Sequence, residues 1–157
     1  MKAIVSGSFD PITCGHLDLI ERASRMFDSV TVAICSNGEK HDMFTVSQRL
    51  EMVSVACAHL PNVKADICSG LLAEYTEVNG VDYIVRGIRN GVDASYEVTL
   101  AEINRSLRNK PETIILPTKK EHMHISSTFA REMIKYSEPL QGIIPDGVIE
   151  YLKSKKI

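Results

Sequence analysis

Apolar positions along the chain gather into five short runs separated by longer stretches with helical spacing. The runs are KAIVS (2–6), SVTVAIC (29–35), NVKADIC (62–68), VDYIVR (81–86) and ETIILP (112–117). Each is mostly apolar and rich in β-branched residues, as strands covered on both faces are. Between them the period changes. Leu17, Ile20, Ala23 and Phe27 fall on one stripe of HLDLIERASRMF, and Thr45 with Gln48 three residues later carries the capping-box pattern that opens VSQRLEMVSVACAHL. Further helices are predicted at 71–79, stopped by Gly80, at 93–108, at 127–136, and at 146–155 after Pro145. This alternation predicts an α/β fold: a Rossmann-like, doubly wound sandwich on a five-stranded parallel sheet with right-handed crossovers. No linker, repeat or low-complexity segment interrupts it, so residues 1–157 read as a single domain. The last helix has no strand to return to and reads as a cap or a subunit contact.

Composition narrows the function classes. A chain of 157 residues is about one domain long. With 18 basic and 20 acidic residues its formal charge is −2, which gives no bulk attraction to nucleic acid or to an anionic membrane. Cys14, Cys35, Cys57 and Cys68 show no C-x-x-C pair and read as buried reduced thiols. No apolar stretch approaches the roughly 18 residues that span a bilayer, and the N-terminus lacks a signal-peptide pattern, so the expectation is a cytoplasmic protein.

In an open parallel sheet chemistry is sought just beyond the carboxyl ends of the strands. After the first run come Gly7, Ser8, Phe9 and Asp10, then Thr13 as an N-cap, with Gly15 at N2 and His16 at N3. Glycine and histidine cost helix propensity there, about 1 and 0.6 kcal/mol against alanine. Either that propensity is given up for access to an anion at the helix start, with His16 donating to it, or the glycines serve a tight turn and His16 is a surface residue. The second run leads into a polar loop carrying Lys40, and the third into Leu71 and Leu72. The fourth ends in RGIRNG, where Arg86 and Arg89 flank Gly87 with guanidinium groups suited to bidentate phosphate contacts. The fifth is followed by Ser126, Ser127 and Thr128, which are either ordinary caps or a second anion site, with Arg131 one turn on. His122 and His124 alone are too few for a metal centre. The chain lacks G-x-x-x-x-G-K-[ST], G-x-G-x-x-G and G-x-S-x-G, which disfavours P-loop NTPases, dinucleotide-dependent dehydrogenases and α/β-hydrolases. Several phosphate donors without a nucleophile suit phosphoryl or nucleotidyl transfer, where positioning and charge stabilisation can carry the reaction.

GSFDPITCGH resembles the T/H-x-G-H signature of the nucleotidyltransferase superfamily, RGIR with DASYE its second element, and ISSTFAR its third. In this order the three resemble the bacterial phosphopantetheine adenylyltransferases, and Lys40 ahead of MFT narrows the likeness to that branch. The resemblance implies transfer of AMP from ATP to 4′-phosphopantetheine, giving dephospho-CoA and pyrophosphate in coenzyme A synthesis, with CoA a further candidate ligand. It implies that Ser8, Lys40, Leu72 and Arg86 contact the pantetheine substrate. It assigns ATP to Ser8, Phe9, His16, Gly87, Ile88, Arg89, Glu97 and the stretch His122, Met123, His124, Ile125, Ser126, Ser127 and Thr128. His16, with Lys40 and Arg89, would stabilise the transition state. Mg²⁺ would accompany the phosphates, and a homohexamer is implied. The family commonly has Pro-Gly-Thr where this chain has Ser6, Gly7 and Ser8. Serine at 8 keeps the hydroxyl; serine at 6 loses a rigid turn residue. The alternatives are a related cytidylyl- or nicotinate/nicotinamide-nucleotide adenylyltransferase, and a nucleotide-binding sensor without catalysis.

Overall fold

A computed structural model describes residues 1–35, 42–106 and 110–155. Strand β1 (Lys2–Gly7) lies at the centre of the sheet, flanked by β2 (Ser29–Cys35) and β4 (Tyr83–Ile88), with β3 (Val63–Cys68) and β5 (Glu112–Pro117) outside them. The order is β3-β2-β1-β4-β5 and every pair is parallel. Successive β1 side chains enter opposite layers, as the strand period requires. Ala3 and Val5 join Ile20, Val32, Met52 and Val85 in the larger core, and Ile4 joins Ala33, Val81 and Ile84 in the smaller one. Because the winding reverses between β1 and β4, a crevice opens at their carboxyl ends, which puts Gly7 and Arg86 side by side.

The helices are α1 (Cys14–Met26), α2 (Val46–Ala56), α3 (Leu72–Asn79), α4 (Gly91–Ser106), α5 (Ser127–Lys135) and α6 (Asp146–Lys155), with a 3₁₀ turn at Lys120–His122. The doubly wound parallel sheet expected from the sequence is present. Helix α2 is shorter than its apolar pattern, because the chain turns at Cys57–Leu60, where the Leu60 amide bonds the Cys57 carbonyl at 2.9 Å, and enters β3. Of the two readings of α6, the structure supports the cap. The helix buries Val148, Ile149, Tyr151 and Leu152 and packs on α2 of its own chain, so closely that a Cβ on Gly147 would lie 3.0 Å from Val55. The segment before it inserts Ile143 and Ile144 into the larger core, and the Ile143 carbonyl accepts the Cys14 amide at 2.9 Å. The C-terminal region therefore braces the start of α1. The four cysteines are free thiols; burial pushes those of Cys35 and Cys57 up to about 12. No helix among the described residues is long and apolar enough to cross a membrane.

Candidate active site

The turn after β1 is built under constraint. Phe9 has φ of 47°, a left-handed conformation that costs a non-glycine residue about 1–3 kcal/mol. Burial of its ring, 1% exposed, offsets a similar amount, about 1.5–3 kcal/mol. Gly7 makes the fold-back possible: a Cβ there would press on the Phe9 ring at 3.3 Å. The Asp10 carboxylate accepts the amides of Met43 and Phe44, both at 2.9 Å, and its carbonyl accepts Arg131 Nη1 at 2.7 Å. Arg49, 1% exposed on α2, donates to the Ser8 carbonyl and to Asp42, both at 2.8 Å. Arginines from two helices thus hold the Ser8–Asp10 backbone.

Helix α1 opens with a reciprocal cap. Thr13 Oγ1 accepts the His16 amide at 3.3 Å, and the Thr13 amide donates to His16 Nδ1 at 3.0 Å. Histidine fills the place usually held by Glu or Gln in a capping box. Its propensity cost is therefore offset in part within the fold, a gain that neither sequence reading of His16 counted. A backbone amide can only donate, so Nδ1 is unprotonated and the proton sits on Nε2. Among the described residues Nε2 has no hydrogen-bond partner. The Phe9 ring meets the imidazole edge-on, with centroids 5.2 Å apart. Burial, then the charges of Arg89 and Arg86, lower the His16 pKa from 6.5 to about 4. His16 thus presents a neutral donor of fixed tautomer.

At the end of β4, Arg86 is already engaged. Its Nε and Nη2 donate to the two Glu97 oxygens at 2.7 and 2.6 Å, and Nη1 donates to the Ser6 carbonyl at 2.6 Å and to Ser6 Oγ at 3.2 Å. Glu97, 7% exposed, is the one buried residue of α4. The Ser6 hydroxyl, which a proline would lack, is a ligand of this arginine. Removing Arg86 would strand a buried carboxylate, a loss of about 3–5 kcal/mol. Arg89 is paired likewise: its amide and Nε both donate to Asp93 Oδ2 at 3.0 Å, and Arg89 holds the Asp93 carboxyl below its usual range.

Beyond β5, the 3₁₀ turn brings His122 against α1, where a Cβ on Gly15 would lie 3.4 Å from His122 Cβ. Ser126 caps α5 by accepting the Phe129 amide at 3.0 Å, Ser127 Oγ donates to the Pro11 carbonyl at 2.9 Å, and Thr128 Oγ1 accepts from Arg131 at 3.1 Å. These hydroxyls serve the scaffold. The amides of Gly15, Ser127 and Thr128 have no partner among the described residues, so the starts of α1 and α5 offer free N–H groups to one space, an arrangement that binds anions.

That space is a cleft of about 900 Å³ whose lining includes Ser8, Phe9, His16, Arg86, Gly87, Arg89, Glu97, His122, Ile125 and Ser126–Thr128. His122 Nδ1 is buried there with no hydrogen-bond partner among the described residues. A second cavity of about 530 Å³ shares Ser6, Gly7, Ser8, Asp42, Arg86 and Glu97 with the first and runs on to Leu72. The Arg86–Glu97 pair stands where the two meet. Ile88 lines neither; its carbonyl accepts the Thr118 amide at 2.8 Å. Met123 and His124 are exposed outside both cavities, and Lys40 lies outside the described residues. Asp42 and Arg49 had no site role in the sequence reading, and Asp10, Asp93 and Arg131 entered it only as neighbours of the candidate residues. Arg49 alone left a signal there, a charge on the inward stripe of α2 beside Met52 and Val53.

A parallel sheet with two helix starts and a histidine donor at its switch point defines the nucleotidyltransferase type of site, and a cytidylyltransferase-like family model matches residues 4–133. Similarity to curated relatives extends over nearly the whole chain. It is 41% identical to the phosphopantetheine adenylyltransferase of Symbiobacterium thermophilum, covering 99% of this chain and 96% of the relative. The corresponding figures are 40%, 99% and 98% for that of Corynebacterium efficiens, and 42%, 98% and 97% for that of Corynebacterium diphtheriae. The chain belongs to the phosphopantetheine adenylyltransferase family of nucleotidyltransferases.

The folded pKa of His16 lies below its unfolded value, so its capped form adds stability that is fully present above about pH 6.5 and is lost as pH falls through about 4. NMR titration of the His16 ring should show the Nε2–H tautomer at pH 7 and a midpoint near 4. A midpoint at or above 6.5 would contradict the cap.

Proposed function

We propose that the chain transfers the adenylyl group of ATP reversibly to 4′-phosphopantetheine, giving dephospho-CoA and pyrophosphate, a step of coenzyme A synthesis in the cytoplasm. The observation that carries this reading is the Thr13–His16 lock, which leaves a neutral Nε2–H donor beside free helix-start amides. ATP occupies the larger cleft with its phosphates on the amides of Gly15, Ser127 and Thr128. The acceptor's arm occupies the second cavity towards Leu72, and its phosphate lies near Ser8 and Arg86, where the cavities join. An oxygen of the acceptor phosphate forms a bond to the α-phosphorus as the bond from that phosphorus to the β-bridging oxygen breaks, and pyrophosphate carries the electron pair away. The attacking oxygen is already anionic, so no general base and no covalent intermediate are required. His16 donates to a non-bridging oxygen as charge gathers on it, and because the ring is fixed beforehand no reorganisation opposes that gain. Arg89 offsets charge on the leaving side, and Lys40 is the further cation that the family resemblance implies.

The donor set bears on the magnesium expected with ATP. Each carboxylate lining the cleft is held: Asp10 by two amides, Asp42 by Arg49, Asp93 by Arg89 and Glu97 by Arg86. Among the described residues no three His, Cys, Asp or Glu side chains group as a metal site. This suits an ion carried by the triphosphate oxygens and water, where it would neutralise phosphate charge, rather than one ligated by the chain.

Pyrophosphate release should be seen with ATP and 4′-phosphopantetheine and not with CTP. His16→Ala should lower kcat about 10²- to 10³-fold while the ATP Kd changes only a few-fold. The cap bond lost, about 1 kcal/mol, is partly offset by alanine's propensity, so the fold should survive. Equal losses in binding and rate would make His16 a ground-state ligand, and no release from the wild type with any phosphorylated acceptor would favour a sensor.

A homohexamer belongs to the same proposal. Apolar side chains left exposed away from both cavities support it: Val78 on α3 is 84% exposed and Val98 on α4 53%. Sedimentation at micromolar concentration should give several times the 17.4 kDa chain mass, and a 17.4 kDa species would refute it.

A further inference from the structure

Asp18 lies two residues beyond His16, is 6% exposed, and lines neither cavity. Its Oδ1 is 2.5 Å from Lys119 Nζ and its Oδ2 is 3.5 Å from Arg22 Nη1. The same Arg22 nitrogen donates to the carbonyl of Pro117, the last residue of β5, at 2.8 Å. Gly15, on the same stripe of α1, has His122 against it. Positions 15, 18 and 22, spaced three and four apart, therefore grip residues 117–122, the stretch that delivers the chain from β5 to the start of α5.

A buried carboxylate is retained only when it is paired, and here the partners belong to, or bind, the segment that leads to Ser127 and Thr128. Lys119 is half exposed, so its charge alone contributes little to overall stability. What the pair fixes is a separation. With Lys119 held to α1, the amide of Gly15 and those of Ser127 and Thr128 keep one spacing across the cleft. We propose that Asp18 is a positioning residue for the nucleotide, acting through Lys119 and Arg22 to set the distance between the starts of α1 and α5. The inference rests on the reading that these amides receive the phosphates of ATP. Gly15, Ser127 and Thr128 line the larger cleft and not the acceptor cavity, so the effect is selective for ATP.

Calorimetric Kd values for ATP and for 4′-phosphopantetheine, measured on the full chain, test this. Lys119→Gln and Asp18→Asn should each weaken ATP about tenfold and the double variant no further, the signature of coupled residues. Acceptor affinity should stay within about twofold, and Lys119→Arg should retain ATP affinity near wild type. Lys119→Gln changes a half-exposed side chain, so it decides the matter if Asp18→Asn fails to fold. Unchanged ATP affinity in Lys119→Gln, or equal weakening of both ligands, would overturn the inference. A wild type that releases no pyrophosphate while the ATP Kd values shift as expected would refute the proposed reaction and leave the positioning role standing. Normal turnover with unmoved Kd values would refute the positioning role alone.

Discussion

The hydrogen bond from the Thr13 amide to His16 Nδ1 is the constraint on which the site depends. It closes the first turn of α1, selects one imidazole tautomer, and leaves the other nitrogen as a donor at the cleft. A histidine free to rotate would reach the same place with either nitrogen and would have to choose during the reaction. Phe9 reinforces the choice by standing edge-on to the ring, and it can do so because Gly7 lets the turn fold back. Folding and the proposed chemistry therefore use one bond, and the turn's strain is balanced by what it buries.

The rest of the cleft follows a second rule, that arginines in it or just behind it are paired with its carboxylates. Arg86 holds Glu97, Arg89 holds Asp93, and Arg49 holds Asp42, while Arg131 reaches Asp10 through its carbonyl at 2.7 Å and its carboxylate at 3.6 Å. Such pairs in a partly buried space limit the positive potential but fix each guanidinium in place, and leave the helix-start amides and one neutral imidazole as donors without partners among the described residues. This arrangement favours groups that gain strength as charge develops over groups that bind the ground state tightly.

Local order was legible where local rules set it. The five strands have apolar runs, Thr13 and Thr45 cap where the spacing places them, and Gly80 ends α3 in a left-handed conformation, with φ of 59°. The cleft's position followed from the alternation of elements. The braces were not legible, because they join residues distant in sequence: Asp10 meets Phe44 across 34 positions and Arg86 meets Ser6 across 80. The role of α6 stayed open between cap and subunit contact for the same reason, since its partner α2 lies far upstream. The cap bond of His16 was not legible, because propensity counts a residue's cost in a helix and not the bond its side chain returns to the cap.

The central claim is that nucleotide phosphates bind across the two facing helix starts, on amides the fold leaves free. Backbone amide shifts recorded as a non-hydrolysable ATP analogue is added to the full chain test it most directly. The largest changes should fall on Gly15, Ser127 and Thr128, with α6 silent. Changes confined to the ends of β2 and β3, with those three amides unmoved, would contradict it.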